Sequence, residues 1–226
     1  MTQLLETHIV ETGASPQWAV IWLHGLGADG FDFAPLVPDL VNPDTPAIRF
    51  VFPHAPVRPV TINNGYRMRA WYDITDMDFA NRADLTGVGE SIEQVEALIA
   101  AQIASGIPAS NIVLAGFSQG GAIALSFLMK SSTELAGVIA LSTYLPDLTN
   151  VVASAKPSSV PVFMAHGTMD PVVPFAAGEA TYKAMSALGM DIAWRTYPMQ
   201  HQVAMEEIVA IRIWLGDILT KKRAIV

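Results

Sequence analysis

The sequence predicts an α/β fold: a mostly parallel, doubly wound sheet with helices on both faces, built from residues 1–226 as one domain. Three observations predict it. Six short apolar runs look like strands, and most lack the polar alternation of a half-exposed one, as expected of parallel strands covered on both sides. Helical patterns lie between these runs, and that alternation implies a parallel sheet. No repeat, low-complexity tract or linker divides the 226 residues; with 51% hydrophobic and only 15% charged residues, the chain can fill a substantial core and is a poor candidate for disorder.

Taken in order, the first strand is expected at 18–23 and runs into the glycine-rich loop His24-Gly25-Leu26-Gly27-Ala28-Asp29-Gly30. A second strand is expected at 48–52. Residues 53–85 then break the pattern: Pro53, Pro56, Pro59, Asn63, Asn64 and Gly65 form turns, while Met68, Trp71, Tyr72, Ile74, Met77 and Phe79 are bulky and apolar. A long irregular segment of that composition reads either as an excursion over the carboxyl edge of the sheet that walls a pocket or, equally, as a satellite core under a surface loop. A helix over about 89–105 carries Ile92, Val95, Ile99 and Ile103 and is stopped by Gly106 and Pro108. Strand 112–117 leads into helix 121–130. Strands are expected at 137–141, 160–165 and 192–197, with a helix at about 175–188 stopped by Gly189. The last helix, about 203–221, has Glu206 and Glu207 in its first turn and Lys221, Lys222 and Arg223 at its end, an order that suits the helix dipole.

Charge and composition exclude several classes. A net charge of −8 argues against nucleic acid or an anionic membrane surface as partner. The absence of cysteine removes disulfides, thiolate metal sites and cysteine nucleophiles, and no metal site is read from the sequence. The first residues, Met1 to Glu6, have neither the basic start nor the apolar core of a secretory signal, and no apolar run approaches the ~18 residues of a membrane span. A cytoplasmic location is the expectation.

The pentapeptide Gly116-Phe117-Ser118-Gln119-Gly120 carries the chemistry. Gly-x-Ser-x-Gly alone is a common match, but here a strand precedes it and a helix follows. Strand, sharp turn and helix are the setting of a nucleophile elbow, where the serine takes a strained conformation and the flanking glycines remove side chains that would collide. A serine hydroxyl needs a base, and the base needs an orienting acid. Two histidines follow Ser118. His201 lies between a strand and the last helix and is favoured as base; His166 ends its own strand and suits a supporting role. Asp170, five residues past the end of the strand expected at 160–165, is favoured as acid over Asp147, which Pro146 and Leu148 mark as a surface turn. Two backbone N–H groups, from Gln119 and from Leu26 in the glycine loop, are the expected oxyanion donors. That loop has neither the Gly-Lys-Ser/Thr ending nor the spacing of a phosphate loop, and His24 reads as its buttress.

In order along the chain stand His24-Gly25-Leu26-Gly27, Ala70-Trp71-Tyr72-Asp73, Ala115 to Gly121, His166-Gly167-Thr168-Met169-Asp170, and Tyr197-Pro198-Met199 leading to His201 and Glu206-Glu207-Ile208. Together they resemble the carboxylesterase/acyl-protein thioesterase (phospholipase/carboxylesterase) family of α/β-hydrolases over nearly the whole chain. The resemblance implies a triad of Ser118, Asp170 and His201, an oxyanion hole from Leu26 and Gln119, no cofactor, and a homodimer as in many members. The chain departs from the family around the base, where Gln200-His201-Gln202 replaces the usual Gly-His-Ser or Gly-His-Glu. The reading is a serine carboxylesterase acting on short- to medium-chain carboxylic esters of small-molecule or lipid origin. The alternative is an acyl-protein thioesterase or lysophospholipase for longer acyl chains; a remote one is a non-catalytic scaffold that binds a ligand. By position and apolarity, Trp71, Tyr72, Ile74 and Val172 are expected to wall the acyl pocket.

Overall fold

The computed structural model describes residues 4–76, 78–79, 82–154 and 158–221. Met1, Thr2, Gln3, Met77, Lys222 and Arg223, on which parts of the sequence reading fell, lie outside them. Among the described residues there are nine strands: β1 (Thr7–Glu11), β2 (Trp18–Leu23), β3 (Ile48–Pro53), β4 (Val57–Val60), β5 (Tyr66–Arg69), β6 (Ile112–Phe117), β7 (Gly137–Leu141), β8 (Val162–Gly167) and β9 (Ile192–Tyr197). The helices are α1 (Val37–Leu40), α2 (Leu85–Ala104), α3 (Gln119–Lys130), α4 (Leu148–Ser154), α5 (Phe175–Ala187) and α6 (Met205–Lys221). Among the described residues, no helix is long and apolar enough to cross a membrane.

Seven strands form one sheet in the order β1-β3-β2-β6-β7-β8-β9. All pairs are parallel except β1 with β3. The chain moves outward from β2 to β3, then crosses back to β6 on the other side of β2, so the winding reverses between β2 and β6. A crevice at the carboxyl ends of strands forms at such a switch point.

The missing polar alternation follows from burial on both faces. Along β2, Ala19, Ile21 and Leu23 join one core cluster, while Trp18, Val20 and Trp22 join the other. β6 and β8 divide in the same way: Ile112 and Leu114 face opposite to Val113 and Ala115, and Val162 and Met164 face opposite to Phe163 and Ala165. Residues of α2, α3, α4 and α5 fill the first cluster; residues of α1 and α6 fill the second.

All six expected strands are present, that of 160–165 displaced to Val162–Gly167. β1 was not anticipated: it is a half-exposed antiparallel edge whose Thr-His-Ile-Val-Glu sequence has little apolar content. The helix expected from 89 begins at Leu85, because the Asp84 side chain accepts from Thr86 N–H and caps it. The segment 53–85 is more ordered than its composition suggested. β4 and β5 pair as an antiparallel hairpin, with Asn64 (φ 56°) and Gly65 (φ 72°) supplying the left-handed turn.

Candidate active site

Ser118 sits between β6 and α3 with φ 53° and ψ −117°, a conformation that costs roughly 1–3 kcal/mol for a residue with a Cβ. Sequence and sterics explain how it is held. A Cβ at Gly116 would lie 2.3 Å from the Gly120 carbonyl, and one at Gly120 would lie 2.3 Å from Leu23 O. The two glycines therefore let strand, turn and helix close on each other. Ser118 N–H donates to Leu141 O at 2.9 Å, and Thr143 Oγ donates to Ser118 O at 2.7 Å. Both peptide groups of the turn are thus tied to the end of the neighbouring β7. Thr143 was not singled out in the sequence; its one signal is its place just past a strand at this same edge.

Asp170 and His201 arrive from the ends of β8 and β9. Past the strand ends the two chains stay paired: Thr168 N–H donates to Tyr197 O at 2.8 Å and Met169 N–H to Met199 O at 3.1 Å. Gly167 makes this possible, since a Cβ there would lie 2.3 Å from Met199 O. His201 Nδ1–H donates to Asp170 Oδ2 at 2.7 Å, and Ser118 Oγ–H donates to His201 Nε2 at 2.9 Å. Asp170 Oδ1 accepts Val172 N–H at 2.8 Å and Val173 N–H at 2.9 Å, so the carboxylate is held as an acceptor, which fixes the imidazole tautomer. The Phe117 ring packs against His201 with centroids 4.8 Å apart. Asp147, the rival acid, instead bonds Asn150 on α4. His166, the rival base, is buried and directed at Val173 O.

The glycine loop lies beside this chain of bonds. His24 is buried, with Nδ1–H donating to Gly25 O at 2.7 Å and Nε2 accepting Ala55 N–H at 3.1 Å. Burial lowers its pKa, consistent with a neutral ring staking the loop. Gly27 N–H and Ala28 N–H are engaged by Arg69 O and Gly25 O. Among the described residues no acceptor reaches Leu26 N–H. Gln119 N–H belongs to the first turn of α3, which leaves it without an intrahelical acceptor. Gln119 adjoins Ser118 in the chain, and the glycine loop approaches it closely enough that a Cβ at Gly25 would lie 3.6 Å from the Ser118 Cβ.

Three of the residues expected to wall the pocket lie in the core, the alternative reading of their segment. Trp71 and Tyr72 are 0% and 1% exposed and Ile74 is 6% exposed, all within the core cluster of the α2 face. The Gln119 side chain binds both neighbours: Oε1 accepts Trp71 N–H and Nε2 donates to Tyr72 O, each at 2.7 Å. Trp71 Nε1–H donates to His24 O at 2.9 Å, and Ser91 Oγ donates to Trp71 O. These residues support the elbow and the glycine loop from behind. Val172 alone of the four is open to solvent, at 52%. A cavity of about 440 Å³ instead lies next to Tyr144, lined among others by Phe79, Leu145, Leu148, Ala177 and Thr181. Tyr144 follows Thr143, and its hydroxyl meets that of Tyr72 at 3.2 Å. None of Trp71, Tyr72, Ile74 or Val172 lines this cavity.

A hydroxyl bonded to an imidazole that is bonded in turn to a buried carboxylate is an arrangement suited to acyl transfer. The chain was compared with known proteins. Acyl-protein thioesterase 1 of Cryptococcus neoformans is 37% identical over 219 residues, 88% of this chain and 92% of the relative. Acyl-protein thioesterase 1 of Neurospora crassa is 39% identical over 213 residues, 89% and 87%. The crystal structure of Arabidopsis thaliana SOBER1 superposes with a TM-score of 0.83 at 30% identity, covering 89% of this chain and 99% of that one. The sequence profile described as phospholipase/carboxylesterase matches residues 5–217. On this match and these relatives, the chain has the α/β-hydrolase fold and belongs to the phospholipase/carboxylesterase family of ester-hydrolysing enzymes.

Proposed function

We propose that the protein cleaves acyl esters and thioesters through a covalent acyl-enzyme on Ser118. The hydrogen-bonded series Ser118–His201–Asp170, seated on a strained elbow, carries this reading. Ser118 Oγ attacks the acyl carbonyl as its proton passes to His201 Nε2. Asp170 holds the ring and stabilises the imidazolium. Leu26 and Gln119 N–H groups receive the oxyanion; a donor of this kind typically contributes ~10²–10³ in rate. The imidazolium returns its proton to the departing oxygen or sulfur. Water, deprotonated by His201, then releases the carboxylic acid and restores Ser118.

One observation bears on the substrate. Relatives at 37% and 39% identity are named acyl-protein thioesterase 1, which favours a thioester-cleaving member over one restricted to short carboxylic esters. The test is a labelling and turnover experiment. A fluorophosphonate should attach to Ser118 in the wild type and not in Ser118→Ala, and that variant should lose several orders of magnitude in hydrolysis. Undiminished turnover by Ser118→Ala overturns the proposal. Oxygen and thiol esters of graded acyl length, assayed side by side, should show thiol esters turned over faster; the reverse preference returns the reading to a carboxylesterase.

A further inference from the structure

His166 is a buried titratable group that the reaction above leaves unused. It is 1% exposed near the end of β8. Its Nε2 lies 2.9 Å from Val173 O and 3.6 Å from Asp170 Oδ2, the same oxygen that accepts from His201. Its Nδ1 has no partner among the described residues. Gly178 of α5 closes over that atom so tightly that a Cβ would lie 2.3 Å from it. A proton on Nδ1 would be a buried donor with nothing to receive it, and Nε2 would then turn a lone pair toward a carbonyl. The proton therefore sits on Nε2 and is donated to Val173 O. Burial lowers the pKa of the ring, which keeps it neutral. Phe175 edge-on and Trp194 at a tilt, with centroids 6.0 and 6.4 Å away, leave the ring little freedom.

The consequence lies in the turn that carries the acid. Val173 is gripped at both peptide groups: Asp170 Oδ1 takes its N–H, and His166 takes its carbonyl. We infer that His166 is a positioning residue that ties the 170–173 turn to β8 and aims Asp170 Oδ2 at His201. It touches neither Ser118 nor the donors of the oxyanion hole, so its effect reaches the reaction only through Asp170. The inference rests on the reading of Ser118, His201 and Asp170 given above.

The test is a double-mutant cycle with rates normalised to sites titrated by a fluorophosphonate. His166→Leu removes the donor; His166→Gln keeps an N–H at similar reach; Asp170→Asn disables the acid. His166→Leu should lower kcat by ~10–100-fold, the scale on which groups that orient a reactive ligand act, with KM within about threefold. His166→Gln should recover most of that loss. In the Asp170→Asn background, His166→Leu should cost less than about threefold, because partners acting as one unit are not additive. Equal losses in both backgrounds, or a wild-type kcat in His166→Leu beside an impaired Asp170→Asn, overturn the inference alone. A wild-type kcat in Asp170→Asn instead removes the reading beneath it. If His166→Leu does not fold, Gly178→Ala decides. Its new methyl pushes on Nδ1 from α5, and kcat should fall at steady KM; a wild-type kcat there overturns the inference.

Discussion

Glu207 shows how far a single buried side chain can depart from its ordinary chemistry. It is 0% exposed in the first turn of α6, six residues beyond His201. Oε2 accepts Ala204 N–H at 3.3 Å, and Oε1 has no partner among the described residues. Burial raises its pKa from an ordinary 4.5 to about 7, against the smaller opposing effect of that one hydrogen bond. The sign for stability follows directly. Below pH 4.5 the carboxyl is neutral in both folded and unfolded chains. As the pH rises toward 7 the unfolded chain releases the proton and the folded one keeps it, so stability falls, and it levels off above that range. At ~1.36 kcal/mol per pH unit this amounts to ~3 kcal/mol. Glu207→Gln keeps an oxygen for Ala204 N–H and cannot ionise. Its stability by urea unfolding should gain ~3 kcal/mol relative to wild type between pH 4.5 and pH 8. Parallel pH dependences in the two proteins would show that the buried carboxyl is not the cause.

Elements differ in how plainly the sequence announces them, and the difference is physical. β2, β6 and β8 were legible because two covered faces demand an unbroken apolar run, and Gly116, Ser118 and Gly120 were legible because the elbow tolerates few alternatives. Asp170 and His201 could be placed by chain order after parallel strands. The hairpin of β4 and β5 was not legible: Pro59, Tyr66 and Arg67 are solvent-facing and carry no apolar period. Nor was the destination of Trp71 and Tyr72, since apolarity marks a residue for burial without saying whether core or pocket receives it. What decides is a through-space bond, the clamp of the Gln119 side chain on Trp71 N–H and Tyr72 O. Gln119→Ala keeps the backbone N–H beside Ser118 but leaves a buried donor and a buried acceptor unmatched. Each such group costs roughly 1–3 kcal/mol, so the variant should lose ~2–5 kcal/mol by denaturant unfolding. A loss under ~1 kcal/mol would mean that this segment is fastened by apolar packing instead.

At the scale of the whole molecule, the sheet is a shared wall between two cores. Alternate residues of β2, β6 and β8 serve opposite faces, so each of these strands is packed by both layers of helices, and loss of either layer uncovers one whole face of it. The site depends on the same continuity. Ser118, Asp170 and His201 come from the ends of β6, β8 and β9, and the Leu26 loop comes from β2, so four strands must hold register for the hydrogen bonds to meet. A chain built this way is expected to unfold as one cooperative unit. Its tryptophans report on both faces: Trp18, Trp22 and Trp214 pack with the α6 side, Trp71 and Trp194 with the α2 side. Tryptophan fluorescence, far-ultraviolet circular dichroism and hydrolytic activity, followed through one urea titration, should therefore share a single midpoint. Removing Trp18 and Trp22 by substitution with Phe isolates the signal of the α2 side, apart from Trp214, and should leave the probes coincident at a lower midpoint. If activity and one face's fluorescence vanish while the helical signal persists, the two cores unfold separately and the sheet is not the shared element that its register implies.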